Sequence, residues 1–488
     1  MNIADKISLM LSAKSDIKQA IEDKGVDMTG VSFPGYATKI NEISGSTVLG
    51  LTQKEITEGG VFSWTIVDNS SASYVGKGAF KWCSNISRVS LPACKSISVG
   101  ALQRCTGLTT CAIPNCEYIG LYAFEGDTKL KFINISKVSY IGNNAFTNCS
   151  ALVQVALNNC QTVGLGAFSN CYTMSSIGNT PFIEYVGNNA FNKCSALTVI
   201  DMPMCSFVGD YAFYGISNSN LEVISLPVCT SYGNNCLLPE VHIDAPPQDQ
   251  LNSFINLRVL NLGGYVMSVS SAAFQSNSII EEVRLASCSV IYKHAFYHCY
   301  SLNSISFPVC ERIEAYAFSN CSALQSVFLP MCSNIGDCAF YECSSLQSIS
   351  LPMCENIEQS AFDGCFKLQD VSLPMCSSIS LNAFIYCKSL QNVFLPSCSF
   401  IGDKAFYSCI SLKSISLPFC SFIGDKAFWL CLNLRTITIG TELSTVCSLG
   451  GSSVFYSYLT SIYVPSSLVN AYKSANYWSY FSNKIIGI

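Results

Sequence analysis

The sequence predicts a repeat solenoid, with a parallel β-sheet along the concave face, short 3₁₀, turn or strand segments along the convex face, and a small helical segment at the N-terminus. Three observations predict it: a period of 22 residues, an apolar alternation of period two inside each unit, and a composition rich in core-forming side chains. Of 488 residues, 49% are apolar and only 12% charged, roughly half the usual share of about 25%. A chain of this length would ordinarily split into several domains; one continuous repeat replaces that expectation with a single long core.

The period is marked by Phe296, Phe318, Phe340, Phe362, Phe384, Phe406 and Phe428, each preceded by Ala, and Phe80, Phe124, Phe146 and Phe168 keep the register. Leu102 occupies the one gap. In the first half of a unit, Leu346, Ile349 and Leu351 follow a Leu-x-x-Ile-x-Leu spacing whose last two members point to one side of a strand, and Pro352 ends it. One such strand cannot bury its apolar face; stacked copies in parallel share a core. About eighteen strands, from the Val89 and Leu91 pair to the Ile462 and Val464 pair, give a sheet on the order of 85 Å long at about 4.8 Å per strand. The second half, such as Ile357 to Cys365, brings the chain back with Ile357, Phe362 and Cys365 inward. It is too short for more than a turn or two of helix, so turns, 3₁₀ pieces or stubby strands are expected.

The repeats are expected over residues 68–464, interrupted at 238–262. There Leu238, Val241 and Ile243 read as one strand core and Leu257, Leu260 and Leu262 as the next, with Asp244 to Asn256, containing Pro246 and Pro247, as an irregular loop. From Cys299 to Cys431 a cysteine recurs every eleven residues, forming two ladders. Parallel stacking holds their Cβ atoms near the strand spacing of about 4.8 Å, beyond the roughly 3.5 to 4.5 Å of a disulfide, and zinc needs ligands converging on a point. Buried free thiols are the expectation.

The formal charge of −5, with Lys and Arg scattered singly, argues against nucleic acid or an anionic membrane surface as partner. No apolar stretch is long enough to insert in a membrane, and Met1 to Lys24 lacks the apolar run of a secretory signal. His294 and His298 stand beside Cys299, yet both replace ordinary polar repeat positions, so no metal is expected. Neither a nucleophile elbow, a phosphate loop nor a carboxylate pair occurs; no cofactor and no enzyme are expected. What remains is the outward face of the sheet, in the rows just before and just after the second apolar residue of each strand. Most positions there are Ser, Thr or Asn. Against them stand Arg88, Phe132, Asp201, Glu240, His242, Glu282, Arg284, Phe328, Asp370 and Phe394 as candidate ligand contacts.

The unit Leu-x-x-Ile-x-Leu-Pro followed by Ile-Gly-x-x-Ala-Phe-x-x-Cys, as in Leu390 to Cys409, resembles the BspA-like, or Treponema-type, leucine-rich repeat family over roughly residues 68–464. Two departures are a period one residue short of the family's commoner unit and a second Cys after the strand Pro. The resemblance implies a leucine-rich-repeat solenoid used for adhesion and for contact with protein or glycan surface ligands, usually on microbial surfaces, with no catalytic residues. Residues 465–488, with Tyr463 to Lys473 and Trp478 to Phe481, resemble the closing segment of such repeats, whose Leu468 to Ser474 run would cap the core.

Residues 1–43 are different in kind. Ile3, Ile7, Met10, Lys14, Ile17 and Ile21 form the seam of a short heptad helix that Gly25 ends, and a second helix near Pro34 carries Phe33, Tyr36, Ile40 and Ile43 on one face. The segments Asp16 to Val26 and Tyr36 to Ile43 resemble N-terminal segments of phage virion proteins. That resemblance implies a virion anchor or self-association segment, joined through residues 44–67 to the repeats; the alternative for residues 1–43 is a helical cap on the solenoid. The expected function is therefore a phage fibre or decoration protein, located in the virion; the alternative is a secreted or surface-bound bacterial adhesin of the same repeat family.

Overall fold

The computed structural model describes residues 65–216, 220–232, 236, 256–264, 266–269, 271–456 and 458–488, together with the pairs 47–48 and 51–52. The expected anchor with Ile3, Ile7, Met10, Ile17 and Ile21 lies outside them, as do Glu240, His242 and residues 244–255 of the expected loop. In residues 44–67, Thr47–Val48 pairs antiparallel with Leu51–Thr52, and the first strand of the stack already begins at Ile66.

Each repeat contributes a strand of three or four residues and a return strand of two. In Ser348–Ser350 only Ile349 is buried, and the register with the next repeat is Ser348↔Asp370, Ile349↔Val371 and Ser350↔Ser372, parallel. Every inward residue thus sits over its own equivalent, which is why the apolar positions recur at 22 and the outward ones are free to vary. We call the sheet of longer strands the front sheet. The two-residue strands, such as Asn356–Ile357 paired with Ser378–Ile379, form the return wall.

After most return strands the backbone brackets the buried Phe between two residues of positive φ. Ser360 (51°) and Gly364 (72°) flank Phe362, and Tyr316 (57°) and Asn320 (63°) flank Phe318. Alternate amides then do different work. The N–H groups of Ser360, Phe362 and Gly364 donate to Leu381, Ala383 and Ile385 of the next repeat at 3.0, 2.8 and 3.0 Å, while those of Ala361, Asp363 and Cys365 close local turns. Every amide of the segment is satisfied without a helix. Among the described residues the repeats contain stubby strands and these turns but no 3₁₀ helix, which occurs only at Ser466–Leu468 and Trp478–Lys484.

The chain divides into two compact units, one of Met1–Leu197, Met202–Ile216 and Gly233–Pro239, the other of Thr198–Asp201, Ser217–Tyr232 and Glu240–Ile488. In the first, front strands run from Ile66–Asp68 to Phe132–Asn134 and continue as single bridges at Gln154 and Ser176. Its return strands run from Tyr74–Val75 to Phe207–Val208. In the second, front strands run in parallel from Val199–Asp201 to Ile485–Gly487, in three hydrogen-bonded groups, beside a nine-stranded return wall from Ser268–Val269 to Ser448–Leu449.

Across the interruption Val223–Leu226 pairs directly with Val259–Leu262, Ile224 opposite Leu260, because these rows continue the core despite a sequence separation longer than the period. The expected strand core of Leu238, Val241 and Ile243 lies outside the described residues.

At the C-terminus a helix, Val469–Ser474, and the 3₁₀ segment bury Tyr472, Trp478 and Phe481 against the last repeats. Trp478 Nε1–H donates to the Cys447 carbonyl at 2.6 Å, and the Cys447 amide donates to the Tyr472 hydroxyl oxygen at 3.0 Å. Ile485–Gly487 then adds one more parallel strand to Ser461–Val464, an element absent from the sequence expectation of a simple cap.

All 28 cysteines are free thiols, and all but Cys338 are buried. Those of the return half donate across the stack, as Cys365 Sγ does to the Phe340 carbonyl at 3.3 Å; those after the strand Pro donate locally, as Cys354 Sγ does to the Asn356 carbonyl at 3.2 Å. Burial pushes the Cys94 and Cys376 pKa values up, to about 11. Asp127 occupies the ladder position that Cys105 and Cys149 hold in the adjacent repeats. It is fully buried, and neither carboxylate oxygen has a hydrogen-bond partner.

Candidate ligand-binding surface

The strand pleat puts the first and third residues of each front strand on the outward face. It places Arg88, Phe132, Asp201, Glu282, Arg284, Phe328, Asp370 and Phe394 there, all exposed except the half-buried Glu282. Phe132, Phe328 and Phe394 are 51%, 55% and 55% exposed, so more than half of each ring is unsupported by the fold. Each has a small residue in register on the preceding strand: Thr110 before Phe132, Ser306 before Phe328, Ser372 before Phe394.

The charged candidates separate into kinds. Arg284 Nε lies 2.5 Å from Glu282 Oε1 on the same strand, a mutually neutralised and solvent-screened pair. Asp370 accepts a hydrogen bond from Asn392 Nδ2–H at 2.6 Å, which orients its carboxylate along the sheet. Arg88 stands between Ile66 and Thr110 in its row.

Two open grooves lie on this face, one in each unit. The first, of about 620 Å³, is lined by Phe132 with Thr110, Ala112, Asn134, Gln154, Ala156, Ser176 and Gly178. It exists because Ala112, Ala156 and Gly178 leave the row beside Phe132 nearly flat. The second, of about 480 Å³, is lined by Phe394 with Asp370, Asn392 and the serines 348, 350, 372, 414 and 416. Phe394 is the wall of a serine-lined trough, with the Asp370 carboxylate on its floor. Phe328 borders neither groove.

A second exposed row escaped the sequence reading. Val309, Met331, Met353, Met375 and Phe419, each directly after the strand-ending Pro, are 44%, 50%, 47%, 56% and 45% exposed. The signal was available: in Pro-Met-Cys the Cys faces inward, so the Met before it faces out.

His294 stacks on Tyr316 with centroids 5.1 Å apart, and burial together with Lys293 lowers its pKa. Among the described residues no group of three or more His, Cys, Asp or Glu is placed to hold a metal ion, and no helix is long and apolar enough to cross a membrane.

The model of the BspA type leucine-rich repeat region matches six times, over residues 63–175, 117–239, 249–333, 267–390, 311–419 and 377–483. The chain belongs to the BspA type leucine-rich repeat family. Among solved structures, this BspA type chain is similar to a leucine-rich repeat protein from Bacteroides ovatus at 22% identity, covering 80% of this chain and 87% of that one with a TM-score of 0.39. A leucine-rich cell surface protein from Faecalibacterium prausnitzii matches at 19% identity, 72% and 87% coverage and a TM-score of 0.24. A leucine-rich repeat protein from Eubacterium ventriosum matches at 16%, 73% and 88%, and 0.27. No curated protein matches the chain.

Proposed function

We propose that this chain is a non-enzymatic adhesion protein of a bacterial surface, binding protein ligands on the outward face of its front sheets. The observation that supports this most is the pair of grooves walled by Phe132 and Phe394, exposed rings beside floors made mostly of small side chains. An aromatic ring beside a flat, hydrogen-bonding floor provides buried area and orientation to a partner at small conformational cost. Membership of the BspA type family supports the same reading and a surface setting. The virion role rests on residues 1–43, outside the described residues, and none of the comparisons supports it; the adhesin reading is the one carried forward.

The test is binding of labelled full chain to cultured epithelial cells. The double variant Phe132→Ser, Phe394→Ser should bind about 10-fold more weakly than the parent, as for loss of an anchoring aromatic. Protease treatment of the cells should abolish binding, and the return-wall variant Arg312→Ser should leave it unchanged. Equal binding by the double variant and the parent would overturn the proposal.

A further inference from the structure

The groove walled by Phe394 differs in charge from the one walled by Phe132. No charged side chain lines the Phe132 groove, whereas Asp370 lies on the floor of the other. The register Asp370↔Asn392 and Ser372↔Phe394 sets the ring one strand over and two residues along from the carboxylate. At about 4.8 Å between strands and about 3.3 Å per residue, their Cα atoms stand roughly 8 Å apart on the same face. Asn392 Nδ2–H donates to Asp370 Oδ1 at 2.6 Å, which fixes the carboxylate and leaves Oδ2 for a second donor.

This carboxylate has no cation of its own. Among the described residues no Lys or Arg forms an ion pair with Asp370. Lys367 and Lys413, exposed in the loops that lead into the strands of Asp370 and Ser414, are unpaired. Arg435 is engaged elsewhere: it donates to the Leu432 carbonyl at 2.8 Å and lies over the Tyr458 ring, 5.6 Å from its centroid. Lys388 Nζ stands 5.3 Å over the Phe366 ring, so this chain already makes the contact of a cation with a phenylalanine face. A neutral group pressed into the Phe394 groove would strip water from the Asp370 carboxylate with nothing in return, and an anion would be repelled. A cation is the class of occupant that gains from both walls.

We infer that the Phe394 groove takes an arginine side chain of a protein partner, its guanidinium lying between the Phe394 ring and the Asp370 carboxylate. A charge-assisted N–H···O contact spans about 2.8 Å and a cation sits within about 6 Å of a ring centroid, so one group reaches both walls across roughly 8 Å. The guanidinium fits better than an ammonium for two reasons. Its flat face stacks on a ring while its edge N–H groups donate to a carboxylate, and it is less strongly hydrated, so entering the groove costs it less. The hydroxyls of Ser372, Ser414 and Ser416 supply acceptors for the N–H groups that Asp370 does not take. The inference deepens the reading of the front sheets as the binding face and rests on it.

The full chain, labelled with para-fluorophenylalanine, is titrated with acetyl-Gly-Arg-Gly-amide and followed through its fluorine resonances. The Phe394 signal, assigned through Phe394→Leu, should shift saturably, while that of Phe132, assigned through Phe132→Leu, should stay in place. Asp370→Asn keeps the size of the side chain and an oxygen for Asn392; it should weaken binding at least about 10-fold with an unchanged thermal midpoint. The corresponding lysine peptide should bind at least about 3-fold more weakly, and the glutamate peptide should cause no shift. Absence of a saturable shift at Phe394, an equal shift at Phe132, unchanged affinity in Asp370→Asn, or equal affinity for the lysine peptide would each overturn the inference. The front-sheet reading fails separately. If the arginine peptide shifts Phe394 but Phe132→Ser, Phe394→Ser binds cells as the parent does, that reading falls and the cation selectivity of the groove stands; if the double variant loses cell binding but the peptide shifts nothing, the arginine inference alone falls.

Discussion

In the second unit buried phenylalanine rings stack without a break from Phe274 to Phe455, with centroids 5.0 to 5.8 Å apart. In the first unit the stack from Phe124 to Phe213 is as regular, but Leu102 separates it from Phe80, and the adjacent repeat carries Asp127 in the thiol ladder. The outer surfaces differ the other way. After the front strands of the first unit, Asn115 and Asn159 bond back to the carbonyls of Pro92 and Ser136 at 2.8 Å, and Lys137 donates to Asn115 at 2.6 Å. The same row holds the exposed Met204 at the end of the first unit and, in the second, the exposed Met331, Met353 and Met375 on consecutive rungs. An inward residue must fit the copies above and below it, so a substitution there is felt by three repeats; an outward residue answers mainly to solvent. The core is therefore conservative wherever it can be, and the two units part company on their surfaces.

The largest expected effect comes from breaking the better stack. Phe362→Ala should destabilise the protein by about 3 to 5 kcal/mol, since it empties a fully buried aromatic site with ring neighbours on both faces. Because repeats contact only their neighbours, hydrogen exchange should rise most around residues 330–395 and little in the first unit. A uniform rise along the chain would show that the two units do not respond separately.

Repairing the weaker stack should have a smaller effect of opposite sign. Asp127→Cys restores a thiol that can donate across the ladder, as Cys149 Sγ does to the Phe124 carbonyl at 3.1 Å, and removes a buried carboxyl without partners. A gain of about 1 to 3 kcal/mol is expected, the usual cost of an unsatisfied buried polar group. Burial holds the Asp127 pKa well above its ordinary 3.8. The folded state thus binds the proton more tightly than the unfolded one, and this contribution is complete below pH 3.8 and is lost as pH rises through the elevated value. Urea unfolding of the first unit at several pH values should therefore show the advantage of Asp127→Cys widening with pH; parallel profiles would mean that Asp127 is solvated or paired in solution.

Much of this was legible in residue spacing. The Phe ladder, the inward Ile and Leu rows and the parallel stacking follow from the 22-residue period, because period and burial are the same constraint in a solenoid. The outward aromatics Phe132, Phe328 and Phe394 were legible too, as exceptions in a Ser and Thr row. Three things were not. The positive φ at positions such as Tyr316, Glu342 and Lys404 has no residue signature, since side chains as different as these share it where the ladder of amides demands it. The pairing across the interruption depends on long-range register rather than local alternation. The grooves depend on which small residues lie side by side on neighbouring strands, and distance along the chain hides that adjacency.

The smallest expected effect on stability tests the surface half of the comparison. Met331, Met353 and Met375 are each about half exposed on consecutive rungs, immediately before the buried Cys332, Cys354 and Cys376. If their role in folding is slight, replacing all three by Ser, the residue already present at position 397 in the same row, should change stability by no more than about 0.5 kcal/mol per site. The surface should change far more than the fold. Three flexible, polarisable side chains aligned along one edge make a continuous apolar ridge, so the triple variant should elute distinctly earlier from a hydrophobic interaction column. Introducing Met in place of Asn115, Lys137 and Asn159 should transfer the later elution to the first unit, at the cost of the hydrogen bonds those side chains make. A marked loss of stability in the Ser variant would instead show that the thioethers close the edge of the core, and that the outward rows of the second unit are bound by the same packing constraint as its inward ones.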